Sequence, residues 1–178
     1  ENMGLVILGT ASGGVGFFGA LLHLTLHSFA KSGLFYQCGS IYRVFRSKHI
    51  SDSGNYFGRN LPGALVIIAG FFIITAIPPS GMFISEFMIF RSMFEAGYLW
   101  LLVIVCILLA FIIWSMGESL MKLLFDRSAL ASDEEGTVKI ALAESLPQFL
   151  LLLGVVWLGF FPPQFLTDLI NGALINLK

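Results

Sequence analysis

Residues 61–95 read LPGALVIIAGFFIITAIPPSGMFISEFMIFRSMFE. As one continuous helix these 35 residues would extend about 52 Å at 1.5 Å per residue. The hydrocarbon core of a bilayer is only about 30 Å thick. The run Ile77-Pro78-Pro79-Ser80-Gly81 divides the stretch. Proline removes a backbone donor and restricts the residue before it, so a helix should end near Ile77. The stretch therefore predicts two half-helices, 61–77 and 83–95, meeting at mid-membrane.

The spacing of charges extends this reading outward. Uncharged runs of 29, 26, 22 and 23 residues separate Glu1 from Lys31, Arg59 from Glu86, Glu95 from Glu118, and Glu144 from Asp168. A spanning helix needs about 20 apolar residues. The first run holds the turn signal Ser12-Gly13-Gly14-Val15-Gly16, which divides it into spans 2–12 and 19–42. Spans 97–123 and 147–167 complete the set, with Pro147 near the start of the last and Pro162-Pro163 near its end. Composition agrees. Of 178 residues, 57% are hydrophobic, only 12% are charged, and 18 are phenylalanine. Mean hydropathy is +0.88. Soluble domains carry about 25% charged residues. This excludes a soluble enzyme and a disordered chain, and a net charge of −1 excludes a basic nucleic-acid binder. The expected fold is all-α, a polytopic transmembrane helical bundle with one discontinuous helix, forming a single domain over 1–178. The chain opens inside an apolar pattern with Glu1-Asn2-Met3, so a fragment of a longer polytopic protein is expected. Cys38 and Cys106 are not spaced for metal binding and are expected to be free, buried thiols.

Lysine and arginine set the orientation. Arg43, Arg46, Lys48 and Arg59 lie in loop 43–60, and Lys122, Arg127 and Lys139 lie near 122–146. The other side has only Arg91 and Lys178. Loops 43–60 and 122–146 are therefore expected in the cytoplasm, with Tyr98 and Trp100 as interfacial anchors at the opposite surface. The acidic run Asp133-Glu134-Glu135 reads as a solvated loop face.

Ionisable groups inside a span cost about 2.5–3.5 kcal/mol on insertion scales and mark function by default. His23, His27 and Lys31 recur at i, i+4 and i+8, which places them along one helix face. Histidine titrates near neutrality, and a buried lysine is readily shifted into that range. The three form a candidate proton wire, with Ser28 and Ser32 positioned to hold waters on nearly the same face. The competing reading, an interfacial His23 and a snorkelling Lys31, asks the lysine stem to cross about ten residues of helix. Glu86 lies just past the Pro-Pro break, where unpaired backbone groups favour a polar cavity. It is a candidate proton or cation site. Glu118 and Lys122 are an i,i+4 pair, as are Arg91 and Glu95. Both read first as interfacial ion pairs, with Glu118 and Lys122 as possible auxiliaries to the pathway. No metal site, phosphate loop or nucleophile triad is legible, and no cofactor is expected in this chain.

The pattern His23-x3-His27-Ser28-x-Ala30-Lys31-Ser32-x-Leu34-Phe35, followed by Gly39-Ser40-Ile41 and later by Ile77 to Phe87, resembles a known family. It is similar to the antiporter-like, proton-pumping membrane subunits of respiratory complex I. That family includes the energy-converting group-4 hydrogenases, of the hydrogenase-4 and formate hydrogenlyase types, and the multisubunit sodium/proton antiporters. The opening Glu1-Asn2-Met3-Gly4 resembles the start of the helix preceding the family's histidine helix. The wording His-Ser-x-Ala-Lys-Ser is nearest to the hydrogenase-4 component F type. The resemblance implies that this chain is the C-terminal part of a longer subunit. It implies Lys31 as the lysine of the histidine helix, His23 and His27 as relay histidines, and Glu86 as the broken-helix acid near a periplasmic exit. Some members carry lysine at that last position. It further implies a non-catalytic proton-pumping subunit of an oxidoreductase complex in a prokaryotic inner membrane. Its partners would be other membrane subunits, a peripheral redox arm, lipid, protons and possibly sodium, with no nucleic acid. The alternative is a subunit of a multisubunit sodium/proton antiporter without a redox partner.

Overall fold

The computed structural model describes residues 2–50, 53–126 and 142–176, and among them all regular structure is helical. The helices are α1 (Asn2–Ser12), α2 (Val15–Phe45), α3 (Tyr56–Arg59), α4 (Leu61–Ile74), α5 (Gly81–Glu95), α6 (Leu99–Phe125), α7 (Leu142–Phe160) and α8 (Gln164–Asn176). Gly13 and Gly14, at φ 70° and 52°, make the turn between α1 and α2 that their sequence predicts.

The break at the two prolines is present and wider than expected. Helix α4 stops at Ile74 rather than near Ile77. The Thr75 hydroxyl donates to the Phe71 carbonyl at 2.6 Å, and Ala76 turns into the left-handed region at φ 53°. Helix α5 restarts at Gly81, two residues earlier than expected, because the Ser80 hydroxyl caps it by accepting the Phe83 N–H at 3.2 Å. With 14 and 15 residues, the two halves are about 21 and 22 Å long. Neither alone crosses a hydrocarbon core of about 30 Å.

The C-terminal region departs further from expectation. Helix α7 begins at Leu142, so Pro147 sits inside the helix instead of opening it. That proline removes one ladder hydrogen bond near the start of the helix. Pro162-Pro163 ends α7 at Phe160, and the chain then starts α8, where a single span to residue 167 was expected. The Pro163 carbonyl accepts the N–H groups of Leu166 and Thr167. Proline thus serves as a helix entry as well as a stop. The short α3 inside loop 43–60 was likewise not foreseen.

Helix α2 is the axis of the bundle and packs on α1, α4, α5, α7 and α8. Its 31 residues extend about 46 Å. Leu22, Leu26 and Ala30 form the main core with Val66, Ile73, Met82, Leu152 and Val155. A second cluster joins Leu5, Ala20, Ile89 and Met93, and a third joins Tyr56, Ala64 and Leu124. Small residues permit close helix approach, as in membrane bundles generally. A Cβ on Gly19 would lie 2.8 Å from the Met88 Cβ and 3.0 Å from the Ser85 carbonyl oxygen. The backbones of Gly81 and Gly159 touch where α5 crosses α7.

Two helices, α6 and α7, are long and apolar enough to cross a membrane. The most apolar window of α6 has a mean hydropathy of 2.9, yet none of it is buried. Trp100, Ile107, Phe111 and Trp114 all point outward. A helix that is apolar on every side is suited to a membrane span. The same fact corrects the expectation for the cysteines. Cys38 and Cys106 are free but exposed, since in a membrane bundle an apolar neighbourhood also marks the lipid face.

Loops 43–60 and 122–146 begin and end at one end of the bundle. Arg43 donates to Glu144 at 2.6 Å, and the rings of Phe57 and Phe125 lie 5.5 Å apart. Residues 127–141, with Arg127, Lys139 and the acidic run, lie outside the described residues. Inside this end, the buried Tyr56 hydroxyl accepts hydrogen bonds from Gln37 Nε2 at 2.6 Å and Asn60 Nδ2 at 2.8 Å.

Two stability predictions follow from this packing. Gly19→Val should cost about 1–3 kcal/mol by overpacking against α5. Gly39→Val, where an added Cβ meets nothing within 4 Å, should change stability by less than about 0.5 kcal/mol. Unfolding of the full-length protein in detergent, followed by tryptophan fluorescence, measures both. Arg43→Ala removes an ion pair whose side chains are 50% and 38% exposed, and should cost no more than about 1 kcal/mol. A double-mutant cycle with Glu144→Ala checks that value.

Candidate functional site

Helix α2 carries His23, His27 and Lys31 on one face, as the spacing predicts. His23 is completely buried and His27 is 8% exposed. Their rings stack with centroids 6.1 Å apart and an interplanar angle of 11°. Lys31 continues the line one turn further on. Its ammonium lies 6.0 Å from the Phe35 ring centroid, within cation–π range. A cavity of about 270 Å³ runs along this face, lined by His23, His27, Ser28, Lys31 and, from α1, Asn2.

Two residues that the sequence reading did not single out complete the site. The Asn2 amide bridges both histidines, with one end 3.1 Å from His23 Nε2 and the other 2.6 Å from His27 Nε2. On the far side of His23, Nδ1 lies 3.0 Å from the Ser85 hydroxyl. That hydroxyl also lies 2.8 Å from the Met82 carbonyl. His27, Asn2, His23 and Ser85 thus form, in that order, an unbroken hydrogen-bonded chain that joins α2 to α1 and to α5. Local spacing offers no signal for such partners, since Ser85 is 62 residues from His23. The one available cue was Asn2 as a polar residue opening an apolar helix.

Glu86 follows Ser85 directly and is 9% exposed. It is buried in α5 just beyond the break, but it does not line the histidine cavity. Of the serines expected to hold waters, Ser28 lines the cavity, while Ser32 does not. Both hydroxyls donate back to helix carbonyls, Ser28 to Leu24 and Ser32 to Ser28, each at 2.8 Å. Glu118 and Lys122 are not brought to the site. They pair with each other at 2.7 Å on the exposed face of α6. Arg91 and Glu95 pair similarly at 2.8 Å on α5.

In a low-dielectric interior, an uncompensated polar group is costly, and a connected network removes that cost. The Asn2 amide oxygen faces His23 Nε2 and can accept its N–H, while the amide nitrogen donates toward His27 Nε2.

Comparison with known proteins places the chain in a family. The chain is 26% identical over its whole length to the hydrogenase-4 component F homolog of Methylacidiphilum infernorum, covering 36% of that protein. It is 24% identical over its whole length to the NADH-quinone oxidoreductase subunit M of Escherichia coli K12, covering 35% of it. Over 53% of the chain it is 32% identical to the formate hydrogenlyase subunit 3 of the same organism, covering 18% of that protein. The chain thus spans about a third or less of these relatives. Residues 1–112, which hold α1 to α5 and every member of the hydrogen-bonded network, match the family described as "NADH:quinone oxidoreductase/Mrp antiporter, TM", and the chain belongs to that family of transmembrane, antiporter-like subunits.

Proposed function

We propose that this chain carries a proton-translocating segment of an antiporter-like membrane subunit in a redox-driven complex. The hydrogen-bonded line His27–Asn2–His23–Ser85, with Lys31 one turn further along the same cavity, is the observation that carries the reading. In this reading the titratable groups act in series, with Glu86 on the discontinuous helix as the next carrier after Ser85. A purely structural bundle gains nothing from a lysine, two histidines and a glutamate in its membrane interior.

In this mechanism Lys31 loads the relay, the histidines pass the proton inward, and Glu86 receives it beside the break. The exposed helix ends near Thr75 and Ser80 supply polar backbone there. The driving change in charge comes from partner subunits, a peripheral redox arm in a bacterial or archaeal inner membrane. The chain itself binds no redox group in this reading. Loops 43–60 and 122–146 face the cytoplasm, as the excess of lysine and arginine there favours.

The test is proton uptake by inverted vesicles containing the intact complex, with and without sodium. Glu86→Gln and Lys31→Ala should each lower uptake about tenfold or more, with the complex still assembled on native gels. Uptake equal to the parent's in both variants would remove these residues from the pathway. Uptake that needs sodium but no redox substrate would assign the chain to a free-standing sodium/proton antiporter. For orientation, Lys48→Cys in a background of Cys38→Ser and Cys106→Ser should react with an impermeant maleimide in inverted vesicles. It should remain unlabelled in right-side-out vesicles, and the reverse pattern would invert the topology.

A further inference from the structure

We infer that Asn2 makes His23 and His27 mutually exclusive carriers of one excess proton, with rotation of its amide accompanying each transfer between them. The consequence for transport rests on the proton-relay reading above; the protonation pattern itself does not.

The argument follows from donors and acceptors alone. An amide presents an acceptor at one end and donors at the other. Asn2 faces one Nε2 with each end. The ring opposite the amide oxygen must carry Nε2–H, and the ring opposite the amide nitrogen must leave Nε2 bare. A ring with a bare Nε2 is neutral. Whichever way the amide is turned, both rings cannot be imidazolium while the bridge is intact. With the oxygen toward His23, only His23 can be charged. With the oxygen toward His27, only His27 can.

Ser85 completes the pattern. Its single hydrogen has two neighbours, the Met82 carbonyl at 2.8 Å and His23 Nδ1 at 3.0 Å. When the hydrogen goes to Met82, the oxygen accepts Nδ1–H from His23. His23 then has Nδ1–H whether neutral or charged, and its charge state is decided at Nε2, where Asn2 sits. The transfer step balances simply. An N–H bond breaks at His27 Nε2, leaving that ring neutral with Nδ1–H, and an N–H bond forms at His23 Nε2. One proton moves, directly or by a water in the adjoining cavity, and the amide oxygen follows the charge.

The other titratable groups near the pair are few. Lys31 lies on the same helix, and Glu86 follows Ser85 on α5. Helix α1 contributes Asn2, while Glu1 lies outside the described residues. Charge repulsion between the rings and from Lys31 also disfavours double protonation, so the test must separate repulsion from the amide.

Nitrogen-15 magnetic resonance of histidine-labelled, full-length protein in bilayers reads ring protonation directly. Single His→Gln variants supply the assignments. The parent should show one imidazolium and one neutral ring over a wide pH interval, with a second proton entering only well below it. Asn2→Asp offers acceptors to both rings and should bring the two protonation steps together. Asn2→Leu keeps the repulsion but removes the bridge, and should narrow the interval relative to the parent. An unchanged interval in both variants, or two charged rings together in the parent near neutrality, would overturn the inference. Proton uptake measured in the same variants is expected to fall at least several-fold with Asn2→Asp, which traps a second proton. Parent-like uptake with an altered ring pattern would leave Asn2's control of protonation standing and overturn the relay reading instead.

Discussion

The contact on which the site depends is the close approach of α2 and α5 at Gly19. No α2 side chain intervenes there, and the Met88 Cβ and the Ser85 carbonyl lie against the bare α-carbon face of α2. One turn away, this approach sets the Ser85 hydroxyl beside His23. In lipid, apolar side chains gain nothing by leaving the solvent, so helices associate through tight van der Waals contact and polar bridges. Both occur together at this crossing. The glycines supply the closeness, and the serine–histidine pair uses it. The same logic holds at Gly81 and Gly159, where α5 crosses α7 backbone to backbone.

The discontinuous helix fits the same constraint. Its two halves expose backbone ends that bilayer lipid cannot satisfy. Ser80 and Thr75 meet part of that need locally. The remainder of the break is enclosed, with Ala76 buried among Leu22, Met82 and Val155. Irregular backbone is thus held inside the bundle, while the fully regular α6 lies on its outside.

What the sequence disclosed follows from the range of the interactions involved. The row His23, His27, Lys31 was legible because helical periodicity is a local property, and the structure places all three on one face. The interruption at Pro78-Pro79 was legible for the same reason. Asn2 and Ser85 were not, because their roles exist only once α1 and α5 are packed on α2. Helix α8 was missed because Pro162-Pro163 reads equally as a stop and as an entry. Pro147 misled in the opposite sense, its position inside α7 being allowed by turns that begin earlier at Leu142. The cysteines were misplaced for a physical reason. In water apolar surroundings imply burial, whereas in a bilayer they also describe the outside.

Helix α2 is considerably longer than the hydrocarbon core is thick, and it carries His23, His27 and Lys31. A local thinning or thickening of the membrane changes how much of α2 protrudes, but not the distance of His23 from Ser85 or of His27 from Asn2. The hydrogen-bonded network is therefore referenced to neighbouring helices and not to the lipid surface. Its geometry is insulated from bilayer thickness, as a bearing is insulated from the wall in which its shaft is mounted.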